Sequence, residues 1–183
     1  MQKNQVKYIS SLYDKKKREL EHRVVLDGLR LIYEAFKGKG NITRIYYTDD
    51  FINKTKSSNH IQELIKSDIP SEKIKNSEIN KLSNNINPQG ILAVCDLIPN
   101  KITNLVLNKS NWVLLDNISD PGNLGTILRT AEWFGIKNIF ISSNSADLYN
   151  DKVLRSAMGS HFYFNNIIQD HLIEGINILK DNG

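Results

Sequence analysis

The chain has 183 residues, 40% of them hydrophobic and 24% charged, with a formal net charge of +4. This composition fits a folded globular protein and excludes a disordered chain; no apolar run approaches the roughly 20 residues that a bilayer span needs. The charge is uneven: residues 1–110 hold 19 Lys and Arg against 12 Asp and Glu, whereas residues 111–183 hold 5 against 8.

Apolar positions Tyr8, Ile9, Leu12, Tyr13 and Leu20 flank the charged run Asp14 to Glu19, which predicts one amphipathic helix over residues 7–22. Arg23 to Asp27, centred on Val24-Val25-Leu26, reads as a short buried strand. Gly28 leads into a helical pattern from Leu29 to Phe36, ended by Gly38 and Gly40. A strand is expected at Ile42 to Thr48, a helix at Asn59 to Lys66, a short strand at Lys73 to Lys75 and a helix from Glu78 to Ser83. Asn87-Pro88-Gln89-Gly90 signals a turn before a strand at Ile91 to Cys95. The alternation of strands and helices implies a small α/β domain within residues 1–97, and the polar residues 98–110 read as a linker.

The second domain, residues 111–183, opens with Trp112 to Asp116, read as a buried strand ending in a carboxylate. A loop from Asn117 to Asn123 precedes a helix at Leu124 to Phe134, capped by Gly135, and a strand at Lys137 to Ser142. This is a strand–helix–strand unit of the parallel, doubly wound kind. Further on, Asp151 to Met158 reads as a helix, His161 to Phe164 as a strand and Leu172 to Lys180 as a helix.

In open parallel sheets, ligands sit beyond the carboxyl ends of the strands. Asp116, the turn Asp120-Pro121-Gly122-Asn123 and the start of the following helix fall there. Asn123 is a candidate helix cap and Gly125 a point of close approach. Arg129 follows Asn123 by six positions, about 1.7 helical turns. Such a turn is also ordinary punctuation, and a helical arginine is usually a surface residue. No Gly-x-Gly-x-x-Gly or Gly-x-x-x-x-Gly-Lys motif supports a nucleotide-cofactor reading. The basic first part suits a polyanion-binding module, with Lys15, Lys16, Lys17 and Arg18 as candidate phosphate contacts. A Lys-rich genome would give the same bias, and a solvated helix face is the plain alternative. His22, His60, His161 and His171 are scattered without metal-ligand spacing, so no metal is expected. Ser156 lacks a His–Asp pair. Cys95, the single cysteine, follows Leu92-Ala93-Val94 and reads as a buried strand thiol; it excludes an internal disulfide. Met1 to Ser10 lacks the apolar core of a signal peptide, which points to the cytoplasm.

The continuous run Leu115-Asp116-Asn117-Ile118-Ser119-Asp120-Pro121-Gly122-Asn123-Leu124-Gly125-Thr126-Ile127-Leu128-Arg129-Thr130-Ala131-Glu132-Trp133-Phe134-Gly135 resembles the first signature motif of the SpoU family of RNA 2′-O-methyltransferases. Ser145 to Phe162 is similar to the segment that follows it there. Lys17-Arg18, Asp27-Gly28, Glu34-Ala35 and Gln89-Gly90-Ile91 stand where the family's RNA-binding domain, itself similar to small ribosomal proteins, has its recurring features; Asp27 replaces the more usual Glu. The resemblance spans about residues 5–165. It implies a ribosomal-protein-like α/β RNA-binding domain followed by a Rossmann-like parallel α/β domain of the trefoil-knot methyltransferase fold. It implies methyl transfer from S-adenosylmethionine to a ribose 2′-hydroxyl of RNA, ribosomal RNA in preference to transfer RNA. It makes Arg129 the residue at the reacting hydroxyl, with Asn123 holding the loop, and implies a homodimer. A free guanidinium has a pKa above about 12 and is no base unaided, so it would act by stabilising the forming alkoxide or beside an RNA phosphate.

The family's second and third motifs, which build the knot and most of the cofactor pocket, have no counterpart after Asn165. The domain is therefore expected to be an incomplete version of that fold without its knot, with the cofactor-binding residues beyond Gly183. The expectation is a fragment of a longer protein, inactive alone. The alternative is a non-catalytic RNA-binding relative.

Overall fold

A computed structural model describes residues 1–55, 58–107 and 111–182. They form two compact units, Met1–Leu97 and Ile98–Gly183.

The first unit opens with α1 (Lys3–Ser11) and α2 (Lys15–Glu21), where the periodicity predicts a single helix. Asp14 divides them. Its side chain accepts the Lys17 N–H at 3.0 Å, so a short carboxylate starts a new helix instead of continuing the old one. The break frees the carbonyls of Leu12 and Tyr13, and Arg18 Nη1 donates to them at 3.3 and 2.5 Å.

The chain continues through β1 (Arg23–Asp27), α3 (Leu29–Lys37), β2 (Ile42–Tyr47), α4 (Asp49–Thr55), α5 (Asn59–Lys66), β3 (Ser71–Lys73), α6 (Asn76–Leu82) and β4 (Ile91–Asp96). The strand order is β1-β4-β2-β3. β4 runs antiparallel to both β1 and β2, and β3 runs parallel to β2. β3 starts two residues earlier than its composition suggests, because the Pro70 carbonyl already accepts the Ile45 N–H at 2.9 Å and sets the register. α4 was not legible in the sequence.

β4 is buried on both faces, as its unbroken apolar run requires. Leu92 and Val94 join Ile9 of α1, Leu12 just after it, and Ile79 and Leu82 of α6 in one core. Alternate residues Ala93 and Cys95 are fully buried on the face that α3 covers. Gly90 admits the chain to β4 at φ +94°, where a Cβ would stand 2.7 Å from Thr48 Oγ1 and 2.9 Å from Phe51 Cβ.

The second unit is a parallel sheet, β5-β6-β7, made of β5 (Trp112–Leu115), β6 (Asn138–Ser142) and β7 (Asn166–Asp170). α7 (Pro121–Trp133) connects β5 to β6, α8 (Asp151–Ala157) lies between β6 and β7, and α9 (Leu172–Asn182) follows β7. Phe140 of β6 packs under α9 at Gly175, where an added Cβ would come within 2.3 Å of its ring.

Two sequence expectations are corrected in this unit. His161 to Phe164, expected as a strand, falls on a 3₁₀ turn at Ser160–Tyr163. Met158 (φ 50°) and Gly159 (φ 88°) are both left-handed and turn the chain before it. The strand is β7, whose buried amides disguise it as polar: Asn166 Nδ2 donates to Asn138 Oδ1 at 2.9 Å and to the Val106 carbonyl at 2.8 Å. β5, expected to be buried, is an edge strand with Leu114 42% exposed. It pairs only with β6 among the described residues.

The segment expected as a linker lies along β7. Gln169 N donates to the Asn100 carbonyl, Ile102 N to Asp170 Oδ2 and Val106 N to Asn166 Oδ1, at 2.8 to 3.0 Å. Its last residues, 108–110, lie outside the described residues. Among the described residues no helix is long and apolar enough to cross a membrane.

Candidate functional site in the second unit

The carboxyl ends of β5 and β6 carry two loops that are tied to each other. Asn117, directly after Asp116, takes a left-handed conformation at φ 52° that asparagine tolerates better than most residues. The turn aims two backbone donors at β6's loop. Asn117 N donates to Ser142 Oγ at 2.9 Å and Ile118 N to Ser145 Oγ at 3.0 Å, and the two hydroxyls lie 2.9 Å apart. Ala146 N returns a bond to the Ile118 carbonyl at 2.8 Å.

The β6 loop is anchored from below by two buried side chains. Gln169 accepts the Leu148 N–H at 3.0 Å and donates to the Ala146 carbonyl at 2.9 Å. His161 is fully buried, with Nε2 2.9 Å from the Leu148 carbonyl. A carbonyl only accepts, so Nε2 carries the proton. Nδ1 has no partner among the described residues. Burial pushes the imidazole pKa down to about 4, so the ring is neutral. Neither Gln169 nor His161 was singled out as part of this arrangement by sequence reasoning; both are single polar residues in apolar surroundings, with no motif to mark them.

α7 then begins. Asp120, not Asn123, caps it: Asp120 Oδ1 accepts the Asn123 N–H at 2.7 Å, and Pro121 occupies the first turn. The Asn123 N–H, with Lys152 at 3.7 Å as a lesser cause, holds the Asp120 carboxyl below its usual range. Gly125 is where α8 crosses. A Cβ there would stand 1.9 Å from Ser156 Oγ, 2.7 Å from the Val153 carbonyl and 2.8 Å from Ala157 N. Ser156 Oγ is engaged by the Lys152 carbonyl at 2.8 Å and is a packing group.

Arg129 is exposed on α7. Its Nη1 lies 3.6 Å from Met158 Sδ, and among the described residues it forms no ion pair. Asn123 is also exposed, and its side chain makes no hydrogen bond among the described residues. Six residues apart on one helix, the two point about 120° apart; the structure does not bring them into contact. The residue that touches Arg129 is Met158, which the sequence places at the end of a helix and does not mark as part of the site.

In the first unit, Lys15 and Lys16 are exposed and Lys17 pairs with Glu21 at 2.5 Å. Arg18, expected at an RNA phosphate, is instead 4% exposed and spent on the carbonyls that end α1. An open groove of about 410 Å³ is lined mostly by apolar side chains, among them Ile45, Ile61, Leu64, Ile69 and Ile91, with the exposed pair Asp49–Lys73 at its rim.

Residues 110–183 match the model of the SpoU rRNA Methylase family, and residues 3–93 match that of an MRM3-like substrate binding domain. The 23S rRNA (guanosine(2553)-2′-O)-methyltransferase RlmP of Bacillus subtilis is 30% identical over 182 residues, which cover 99% of this chain and 68% of that protein. The human mitochondrial rRNA methyltransferase 3 is 31% identical over 157 residues, 79% of this chain and 34% of that protein. Among solved structures, a putative RNA methyltransferase of the TrmH family from Porphyromonas gingivalis matches with a TM-score of 0.80 at 25% identity, over 99% of this chain and 68% of that one. The SpoU methyltransferase AviRb of Streptomyces viridochromogenes, solved with AdoMet, shares the fold with a TM-score of 0.81 at 20% identity, over 98% of this chain and 68% of that one. The chain belongs to the SpoU family of rRNA methylases. It spans about two thirds of the Bacillus relative and about one third of the human one.

The N–H groups of Asn117 and Ile118 are taken by Ser142 and Ser145, and the Gln169 amide by the β6 loop.

Proposed function

We propose that the protein carrying this chain methylates ribosomal RNA at a ribose 2′-hydroxyl in the cytoplasm, and that this chain supplies the hydroxyl-activating side of the reaction. S-adenosylmethionine is the methyl donor of the family; its binding residues are assigned to the second and third motifs, which these 183 residues do not contain. The observation that carries the proposal is Arg129: an exposed guanidinium, inside the first motif, with no carboxylate paired to it among the described residues.

An unspent cation stabilises negative charge as it forms. A 2′-oxygen that loses its proton beside Arg129 gains a charge-assisted hydrogen bond that the neutral hydroxyl has only weakly, which lowers the barrier selectively. Asn123 offers an exposed amide about 1.7 helical turns closer to the loop. Lys15 and Lys16 are assigned to RNA phosphates, and the Lys17–Glu21 pair orients the third lysine. The exposed apolar side chains Trp133 (84%) and Phe134 (78%) at the end of α7 support assembly as a homodimer.

The test is Arg129→Ala and Arg129→Lys in the gene product that contains this chain, read by methyl incorporation and separately by RNA affinity. Loss of one preorganised donor costs about 10²–10³-fold in kcat, and RNA affinity should hardly change. Equal loss of affinity and turnover would remove Arg129 from the reacting centre. RNA binding without any turnover of the unaltered protein would favour the non-catalytic RNA-binding reading.

A further inference from the structure

We propose that Met158 is an oxidation site that controls the freedom of the Arg129 guanidinium. The inference rests on the role given to Arg129 above. Three observations carry it. Met158 Sδ is 3.6 Å from Arg129 Nη1, the one polar contact that the guanidinium makes among the described residues. Met158 is 50% exposed, so a peroxide reaches the sulfur. Its backbone is fixed in the left-handed region at φ 50°, its N–H bonded to the Arg155 carbonyl and followed by Gly159 at φ 88°, so the side chain is presented from a rigid turn.

A thioether is a weak acceptor without charge. It places the guanidinium against the end of α8 and leaves the positive charge intact, which a carboxylate in the same position would not. Oxidation reverses that balance. A sulfur lone pair attacks one oxygen of hydrogen peroxide, the O–O bond breaks and water leaves; the thioether is oxidised to a sulfoxide and the peroxide is reduced. The new S=O oxygen is a strong acceptor within reach of the same N–H, and a charge-assisted N–H···O bond replaces a weak N–H···S contact. Arg129 is then held on Met158 and withdrawn from RNA. The change is reversible by methionine sulfoxide reductase chemistry.

The other sulfur groups of this chain are poorly placed to compete. Cys95 is fully buried and burial pushes its thiol pKa up to about 12, so the reactive thiolate is absent. Met1 has its terminal ammonium tied to Glu78 and is partly buried in the first unit.

The test treats the unaltered protein and Met158→Leu with hydrogen peroxide and follows the Arg129 guanidinium by ¹⁵N NMR, alongside peptide mass mapping. The expected result is one added oxygen at Met158, slowed exchange of the Arg129 N–H protons in the unaltered protein, and no Arg129 response in Met158→Leu. Reduction by a methionine sulfoxide reductase should restore the first spectrum. Methylation should fall about tenfold in the oxidised protein and in Met158→Gln, whose amide oxygen imitates the sulfoxide, while Met158→Leu resists peroxide. An Arg129 spectrum unchanged by oxidation of Met158 overturns the proposal whatever the activity. An Arg129 response without any effect on methylation upholds the contact and instead refutes the role assigned to Arg129.

Discussion

His161 makes acid stability a direct test of how the β6 loop is held. Its Nε2–H bonds the Leu148 carbonyl, its ring is fully buried and, among the described residues, Nδ1 has no acceptor for a second N–H. Burial lowers its pKa to about 4, against about 6.5 in the unfolded chain. The sign follows from proton counting. Between these values the unfolded state binds a proton and the native state does not, so acid favours unfolding. Stability contributed by the neutral ring is fully present above about pH 6.5, falls as pH drops toward about 4, and is lost below it. A difference of roughly 2.5 pH units corresponds to about 3 kcal/mol at most. Urea unfolding at a series of pH values should show this slope in the unaltered protein and lack it in His161→Gln, which is destabilised at neutral pH but does not titrate. NMR titration of the ring should find it neutral at pH 5. A ring that protonates near pH 6.5, or the same pH slope in both proteins, would refute the buried, neutral assignment.

Three further outcomes follow from the same geometry. Gly125→Ala should cost about 2 kcal/mol or more by thermal or urea unfolding, because two of the three clashing atoms are α8 backbone, and overpacking outweighs the roughly 1 kcal/mol that alanine gains in helix propensity. Lys15→Glu with Lys16→Glu should weaken RNA binding and make its salt dependence shallower by about one to two units of slope, measured by fluorescence anisotropy across salt concentrations; an unchanged slope would return these lysines to a solvated helix face. Cys95 should resist thiol reagents in the native protein and react only on unfolding, given full burial and a pKa pushed up to about 12.

The parts of the fold that the sequence shows are those whose local signals agree with the tertiary environment. β4 reads correctly because a run of five apolar residues, Ile91 to Cys95, is buried on both faces. α7 is legible as a helix from its apolar pattern, but it starts at Pro121, three residues before the expected Leu124, because Asp120 and not Asn123 is the cap. Gly125 was expected to permit a close approach, and α8 makes it. Where signals conflict, the sequence misleads. Asp14 breaks an otherwise continuous helical pattern because its carboxylate captures the Lys17 N–H. β7 is hidden because Asn166 and Gln169 satisfy their amides inside the fold, a pairing across 21 to 60 residues that periodicity does not contain. The site divides in the same way. Arg129 and Asn123 stand out as candidates because they lie in a continuous motif. Met158, Ser142 and Ser145 act through contacts with α7 or the β5 loop 25 to 29 residues away in the chain, and no local pattern announces them. Arg18 shows the converse: a basic run suggested an RNA contact, and the helix break beside it claimed the guanidinium.

The most direct measurement is nucleoside analysis by mass spectrometry of ribosomal RNA incubated with S-adenosylmethionine and the gene product that contains this chain. A single 2′-O-methylated nucleoside that disappears with Arg129→Ala is the predicted result. Methylation on a base, or a 2′-O-methyl product that persists without Arg129, would contradict it.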